Sequence, residues 1–389
     1  MNLSKAGGLS ALSRRTLLKS AGLLAGTSAL ASAMPALASN MSTQSTQSSE
    51  TSSSTPPIDK PMVGFMLAHE QFPVPELLEL GVAAEQAGFD LLATSDHLQP
   101  WQANEQHAGE AWVTMAALGQ RTKHVWLGPT VTCPTMRYNP AVVAEAFATL
   151  SLLYPGRIFL GLGSGEALNE QAATGLWPKW PERSERLIEA TEVIRKLWTG
   201  DQVVHSGKYY NINAKLYDPP AGKVPLLMAA NVGPKAMHRS GRYGDGLITD
   251  PETWKQHRPE FERGANEAGK DPKQMPVLVE LFVVVGDEKD AQYAAERWRF
   301  IPKAFKGYFN IRDPQAIESK ATAELPLEKV YSKWPVSTDP DVHAKALVEL
   351  FNDGATIVNV HSGQSDQKRV IEFYGKDVLP RVHAQLKEA

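Results

Sequence analysis

From Pro61 onward the chain alternates short apolar runs with longer amphipathic ones. Met62 to Leu67 has no polar side chain, the pattern of a strand covered on both faces, and ends at Ala68-His69-Glu70-Gln71. Pro75 to Ala87 carries its apolar residues at helical spacing, and Gly88 closes it. The same couple of signals recurs along the chain. Strands are predicted at Leu91–Ser95, Val125–Val131, Arg157–Gly163, Val224–Ala230, Gly246–Thr249, Pro276–Val285 and Thr356–His361. Helices are predicted at Ala111–Gln120, Pro140–Leu153, Pro181–Trp198, Pro234–Arg242, roughly 252–268, Asp341–Asp353 and Asp366–Lys387. Val203 to Ile212 reads as a hairpin around Ser206-Gly207, and Glu288 to about Pro335 as a helix-rich, less regular insertion. Eight strand–helix pairs predict an α/β fold, a (β/α)8 TIM barrel with insertions. A doubly wound open sheet ranks second, because no glycine-rich nucleotide fingerprint follows the first strand.

A barrel of this kind collects its chemistry at the carboxyl ends of the strands. The predicted ends are rich in small, polar and titratable residues: His69-Glu70, Asp96-His97, Thr130-Val131-Thr132-Cys133, Gly163-Ser164-Gly165-Glu166 and Ala230-Asn231-Val232-Gly233. The stretch around Asp96-His97 stands out, because Pro100 and Trp101 follow it directly. An imidazole can take a proton from an alcohol near neutral pH. The adjacent carboxylate can orient the ring, and the indole can stabilise a nearby cation. Taken alone, the pair is equally a capped turn with a satisfied histidine. Gly161-x-Gly163-x-Gly165-Glu166 either lets a flat ligand approach the backbone or forms a tight turn with Glu166 at a helix start. Ala230 to Gly233 is either an anion site ahead of a helix or a loop that needs glycine. His205, His238, His257 and His343 fall at surface-like positions and are expected to be inert. No spacing suggests a catalytic metal, and no Gly-x-Ser-x-Gly elbow suggests a serine hydrolase.

Ahead of the barrel pattern, Arg14-Arg15 precedes a weakly apolar stretch, Ala21 to Leu37, with small residues at Ala36 and Ala38. Residues 1–38 are expected to be a twin-arginine signal peptide, cleaved after Ala38, and 39–59 a disordered Ser/Thr/Gln-rich linker. A membrane anchor is the alternative, though the run is short and poor in Leu, Ile and Phe. The barrel would occupy 60–389. The twin-arginine route carries folded proteins, often with cofactor already bound, to the periplasm or cell envelope. Cys133 is the one cysteine, so no internal disulfide can form. A net charge of -3 argues against a nucleic-acid surface.

Four stretches carry a resemblance to a known family: Ser95-Asp96-His97-Leu98-Gln99-Pro100-Trp101, Arg137-Tyr138-Asn139-Pro140-Ala141, Tyr154 to Gly161, and Gly163 to Glu170. With them the chain, from Pro61 to about Arg381, resembles the luciferase-like flavin and deazaflavin oxidoreductases. More narrowly, it resembles the branch that uses the 5-deazaflavin coenzyme F420 and includes glucose-6-phosphate dehydrogenases. The resemblance makes His97 the base for the alcohol proton, Trp101 the group that stabilises the imidazolium, and Glu166 the proton donor to the reduced deazaflavin ring. It gives Asp96 a coenzyme contact and a role in orienting the site. It places a non-proline cis peptide at Thr130–Val131 behind the deazaflavin, and coenzyme contacts at Cys133, Gly165, Asn169, Ala230, Asn231, Val232 and Gly233. The sugar-phosphate enzymes of this branch clamp phosphate with two lysines and an arginine. The matching places here hold Thr253, Tyr308 or Phe309, and Lys333, which argues against a sugar phosphate and for a less polar alcohol.

The expected activity is therefore an exported F420-dependent secondary-alcohol dehydrogenase or ketone reductase, acting on CH–OH groups of a small molecule or lipid such as a hydroxymycolate. An FMN-dependent monooxygenase on the same barrel is the alternative, and a non-catalytic exported binding protein the third reading. The expected partners are the alcohol and the twin-arginine translocation machinery. A homodimer is a possible assembly.

Overall fold

The computed structural model describes residues 60–231 and 233–388; the expected signal peptide and linker, and Val232, lie outside the described residues. Eight parallel strands form the centre. They are β1 (Met62–Leu67), β2 (Leu91–Thr94), β3 (Trp126–Pro129), β4 (Leu160–Leu162), β5 (Leu226–Ala229), β6 (Gly246–Thr249), β7 (Val277–Phe282) and β8 (Ile357–His361). Their spatial order follows the chain, and β8 pairs back with β1 in register Met62 with Ile357. The last gap, between β3 and β4, is closed by two parallel bridges, Leu127 with Ile158 and Thr132 with Leu162. The molecule is the (β/α)8 barrel expected from the alternation.

The alternation of side chains across each strand builds two cores. Met62 and Met66 point inward and meet Leu91, Ala93, Trp126, Phe159, Leu227, Ile248, Leu278 and Ile357 inside the barrel. Val63, Phe65 and Leu67 point outward into the layer between strands and helices. Each such side chain, fully buried, contributes roughly 1.5–3 kcal/mol. The uninterrupted apolar strand sequence is the consequence of having both faces covered.

Glycines decide how tightly the barrel closes. A Cβ on Gly161 would run into the carbonyl oxygen of Pro129, and one on Gly163 into the Val131 side chain. Gly165 has φ +75°, and a Cβ there would lie 2.6 Å from Glu170 Cγ and 2.8 Å from Cys133 Sγ. The alternate glycines therefore serve the close approach of β4 to β3 and a left-handed turn. Gly163 and Gly165 also line the cavity described below.

Three further expectations change. The strand expected over Pro276–Val285 ends at Phe282, and Val284–Val285 pairs with Val336–Ser337 in a small separate sheet. The closing helix is broken in its middle: Tyr374–Val378 is a π turn between Gln367–Phe373 and Leu379–Glu388. Pro380 explains the break, since it has no N–H to offer the carbonyl four residues earlier. His343 is fully buried rather than surface-like, bonded to the Tyr374 hydroxyl at 2.9 Å and the Ser337 carbonyl at 3.0 Å. Among the described residues no helix is long and apolar enough to cross a membrane.

Candidate active site

A deep cavity opens at the carboxyl ends of the barrel strands, with Met66, Val131, Ala229 and Ile248 among its lining residues. One side of it is roofed by the 288–335 insertion, which contributes Trp298, Phe300, Ile301, Ala304, Phe305 and Phe309. Insertions cluster at this end because the strand-to-helix loops are free to lengthen without disturbing the barrel.

His97 stands on the loop after β2 with both ring nitrogens engaged. Nδ1 lies 3.1 Å from the Gln99 carbonyl, and Nε2 lies 3.5 Å from Glu70 Oε1. The other Glu70 oxygen accepts from the Ser95 hydroxyl at 2.5 Å. The Gln99 carbonyl suits a proton on Nδ1, which leaves the Nε2 lone pair for an incoming proton. Once protonated, the ring has an acceptor at each nitrogen. Trp101 lies beside the imidazole, with ring centres 5.8 Å apart, and is itself stacked on Phe300 at 4.6 Å. That separation is within cation–π range.

The carboxylate partner of His97 is thus Glu70, from the end of β1, and not Asp96. Residues 96 and 97 lie on the loop after β2, and there the two side chains face different ways. Asp96 points behind it. Its carboxylate accepts from Arg137 at 2.6 Å, from Thr132 Oγ1 at 2.6 Å and from the Tyr138 hydroxyl at 3.2 Å. Burial and the Asp96 charge push the Tyr138 phenol well above its ordinary range, so it stays a donor. Asp96 braces the loop that carries His97 and is not in the cavity wall.

Glu166 follows the Gly165 turn and lines the cavity. Asn169 ties it to the loop that carries His97: its Nδ2 donates to Glu166 Oε2 at 3.3 Å, and it approaches His97 Nδ1 at 3.2 Å without bonding to it when that nitrogen carries the proton. The Asn169 Oδ1 accepts from the Leu98 backbone N–H at 2.8 Å. Of the residues expected from sequence, His97, Trp101, Glu166, Thr130, Val131, Gly165, Ala230 and Asn231 line the cavity. The Thr130–Val131 peptide is cis, where the resemblance puts it. Asn169, Cys133 and Gly233 stand behind the wall: Cys133 packs against the Gly165 turn, and Gly233 caps the helix Pro234–Tyr243. His69 is buried with Nδ1 on the Leu67 carbonyl, so of the pair ending β1 only Glu70 reaches the cavity.

Sequence reasoning missed a second histidine–carboxylate pair. His361, at the end of β8, places Nδ1 2.6 Å from Glu280 Oε1 on β7, with its ring stacked on Phe282 at 4.1 Å. Its buried Nε2 has no partner. Both residues line the cavity, and the same strand-end rule, extended to the last strands, would have found them. Arg183, Arg239 and Trp180 were also missed; each sits on a helix, where periodicity alone reads it as one more position on an amphipathic face.

The places compared with a sugar-phosphate clamp hold no free cation. Thr253 is bonded to Asp250, Lys333 is paired with Glu252 at 2.8 Å, and Phe309 presents an aromatic ring to the cavity. The cavity does suit a flat organic coenzyme with an anionic tail. It is a cleft at the barrel mouth, walled by backbone of β3, β4 and β5, with unpartnered buried atoms on Asn231, Arg183 and Arg239.

Comparison with known proteins agrees with this geometry. The luciferase-like monooxygenase family model matches residues 43–356. The F420-dependent hydroxymycolic acid dehydrogenase of Mycobacterium tuberculosis is 44% identical over 339 residues, covering 85% of this chain and 92% of the relative. The F420-dependent glucose-6-phosphate dehydrogenase of Microbacterium testaceum is 39% identical, covering 82% and 96%. A solved F420-dependent secondary alcohol dehydrogenase in complex with an F420-acetone adduct is 34% identical, with a TM-score of 0.78, covering 83% of this chain and 99% of that one. The fold, the site and these relatives together show that the chain belongs to the luciferase-like monooxygenase family, among members named as F420-dependent dehydrogenases.

Proposed function

We propose that the protein is an exported F420-dependent oxidoreductase that interconverts an apolar secondary alcohol and its ketone. The observation that carries this reading is His97, held between the Gln99 carbonyl and Glu70 under an aromatic roof. A bound coenzyme would supply the acceptor for the hydride of the carbinol carbon. The chain's own residues handle the rest. His97 Nε2 accepts the hydroxyl proton, and Glu70 faces the cation that results. Trp101 adds its ring face to the same cation. Glu166, tethered by Asn169, lines the same cavity and would give a proton to the reduced coenzyme, so that a hydride and a proton leave the alcohol and a hydride and a proton are taken up.

The substrate class follows from the roof. Phe300, Ile301, Phe305 and Phe309 offer an apolar surface and no donor for a phosphate. A hydroxylated lipid, such as the hydroxymycolate in the name of the Mycobacterium tuberculosis relative, falls in this class. Export rests on Arg14-Arg15 and the small-residue stretch that follows them.

The test is purification from a host that makes the deazaflavin, an absorbance scan for bound coenzyme, and initial rates with a series of secondary alcohols. We expect bound deazaflavin and a kcat/KM that rises with alkyl chain length. Recovery of FMN in its place, or a preference for glucose 6-phosphate, would overturn the proposal.

A further inference from the structure

The inner wall of the barrel holds a carboxylate that the fold leaves half satisfied. Inward positions alternate along β7 and β8. Leu278 and Ile357 sit in the barrel core, so Glu280 and His361, further along the same faces, also point to the interior. Both line the cavity, which Trp298 and Phe300 of the insertion line too. His361 Nδ1 bonds Glu280 Oε1 at 2.6 Å, and among the described residues Glu280 Oε2 has no partner. The Glu280 side chain is 25% exposed, and His361 is 1% exposed, with no partner on its buried Nε2.

The pair is held rigidly. The His361 ring stacks on Phe282 at 4.1 Å and meets the edge of Trp298 at 4.3 Å. Phe282 is stacked in turn on Trp334 at 5.0 Å. The Trp298 indole N–H donates to Gln71 Oε1 at 2.9 Å, so it is not free to serve the open atoms of the pair. A buried carboxylate and imidazole are costly unless their remaining polar atoms are bonded. The barrel does not need them, because apolar residues at both positions would fill the same space at lower cost.

The two open atoms select the ligand. Glu280 Oε2 takes only a donor. His361 Nε2 accepts when the ring is neutral and donates when it is protonated. A hydroxyl both donates and accepts, so it satisfies the pair in either state of the ring. An anion would meet the Glu280 charge, and the cavity's arginines, Arg183 and Arg239, come from helices beside β4 and β5, across the barrel from β8. An ammonium has no lone pair to accept with. We propose that Glu280 and His361 anchor a second hydroxyl of the substrate, so that the alcohol oxidised at His97 is a diol with an apolar body between its hydroxyls. The proposal deepens the dehydrogenase reading and rests on it. β8 and β2 flank β1, so the backbones that carry His361 and lead to His97 run about 10 Å apart, and the inward side chains shorten the span. At about 1.5 Å per carbon–carbon bond, the second hydroxyl belongs roughly three to six carbons from the carbinol carbon.

The experiment titrates the holoenzyme with two tertiary alcohols of equal chain length, one with a second hydroxyl at that distance and one without. A tertiary carbinol has no hydrogen to give as hydride, so calorimetry reads binding without turnover. Wild type, Glu280→Leu, Glu280→Gln and His361→Asn are compared, with circular dichroism to confirm folding. Asparagine at 361 keeps a donor for Glu280 and has no atom in the place of Nε2. Wild type should bind the diol about tenfold more tightly than the mono-alcohol, as one hydrogen bond to a charged group gives. Glu280→Leu should bring the two ligands within about twofold of each other, with Glu280→Gln and His361→Asn between these limits. With the corresponding secondary alcohols, the advantage of the diol should appear in KM and not in kcat. Equal affinity for the two ligands in wild type, or a preference that survives Glu280→Leu, would overturn the anchor. Tighter binding of the matching amino alcohol than of the diol would overturn it too, since the site would then be one for a cation. If wild type turned over no secondary alcohol, the dehydrogenase reading would fall, and the calorimetric comparison would still decide the anchor.

Discussion

Glu170 should make the protein less stable as pH rises through the weakly acidic range. Its side chain is buried behind the Gly165 turn, 1% exposed. Burial pushes its carboxyl up from the ordinary 4.5 to about 7, although the Arg137 backbone N–H at 2.7 Å and the Arg137 charge pull it down. The unfolded chain gives up this proton near its ordinary value, while the folded chain keeps it until about 7. Between those two values the folded state binds more protons, so stability falls with rising pH, and it is flat in this group above and below. At about 1.36 kcal/mol per pH unit, the gap amounts to about 3 kcal/mol. Glu170→Gln is neutral at every pH and keeps an oxygen for the Arg137 N–H, so it resembles the protonated wild type. Urea unfolding should give nearly equal free energies for the two proteins at about pH 4. The variant should be ahead by about 3 kcal/mol at about pH 7.5. Parallel stability curves across that range would refute the reasoning, because they would mean that Glu170 titrates alike in both states.

His97→Ala should retain coenzyme but lose a factor of roughly 10²–10⁴ in turnover; a wild-type rate in single-turnover measurements would move the base elsewhere, with His361 the next group in the cavity. Glu70→Gln removes the charge facing Nε2 and should lower kcat with little change in coenzyme affinity, so an unchanged kcat would sink the pairing. Asn169→Ala should lower kcat about tenfold with little change in coenzyme affinity, since it frees both Glu166 and the loop that carries His97; a loss confined to coenzyme binding would count against its role as a tether. Arg14→Lys together with Arg15→Lys should leave the precursor in the cytoplasm on fractionation, and normal processing would mean that the leader takes another route.

The barrel was legible because its signal is local and repeated. A strand covered on both faces must be apolar throughout, and a helix lying over it must be apolar on one stripe; eight such pairs in sequence leave few alternatives. His97, Trp101 and Glu166 were legible for a related reason: they sit next to strand ends, and strand ends converge. What the sequence could not supply was direction. Adjacency in the chain suggested Asp96 for His97, yet Asp96 turns to Arg137, and Glu70, after the neighbouring strand β1, faces the ring. The glycines from β4 onward looked like room for a ligand, and only the packing shows that the neighbouring strand, with Pro129 and Val131, needs the space as well. Arg183 and Arg239 lie on two helices far apart in the chain. Only the packing of those helices against one wall of the cavity brings the two guanidinium groups together, and no periodicity records which polar atoms a fold leaves without partners.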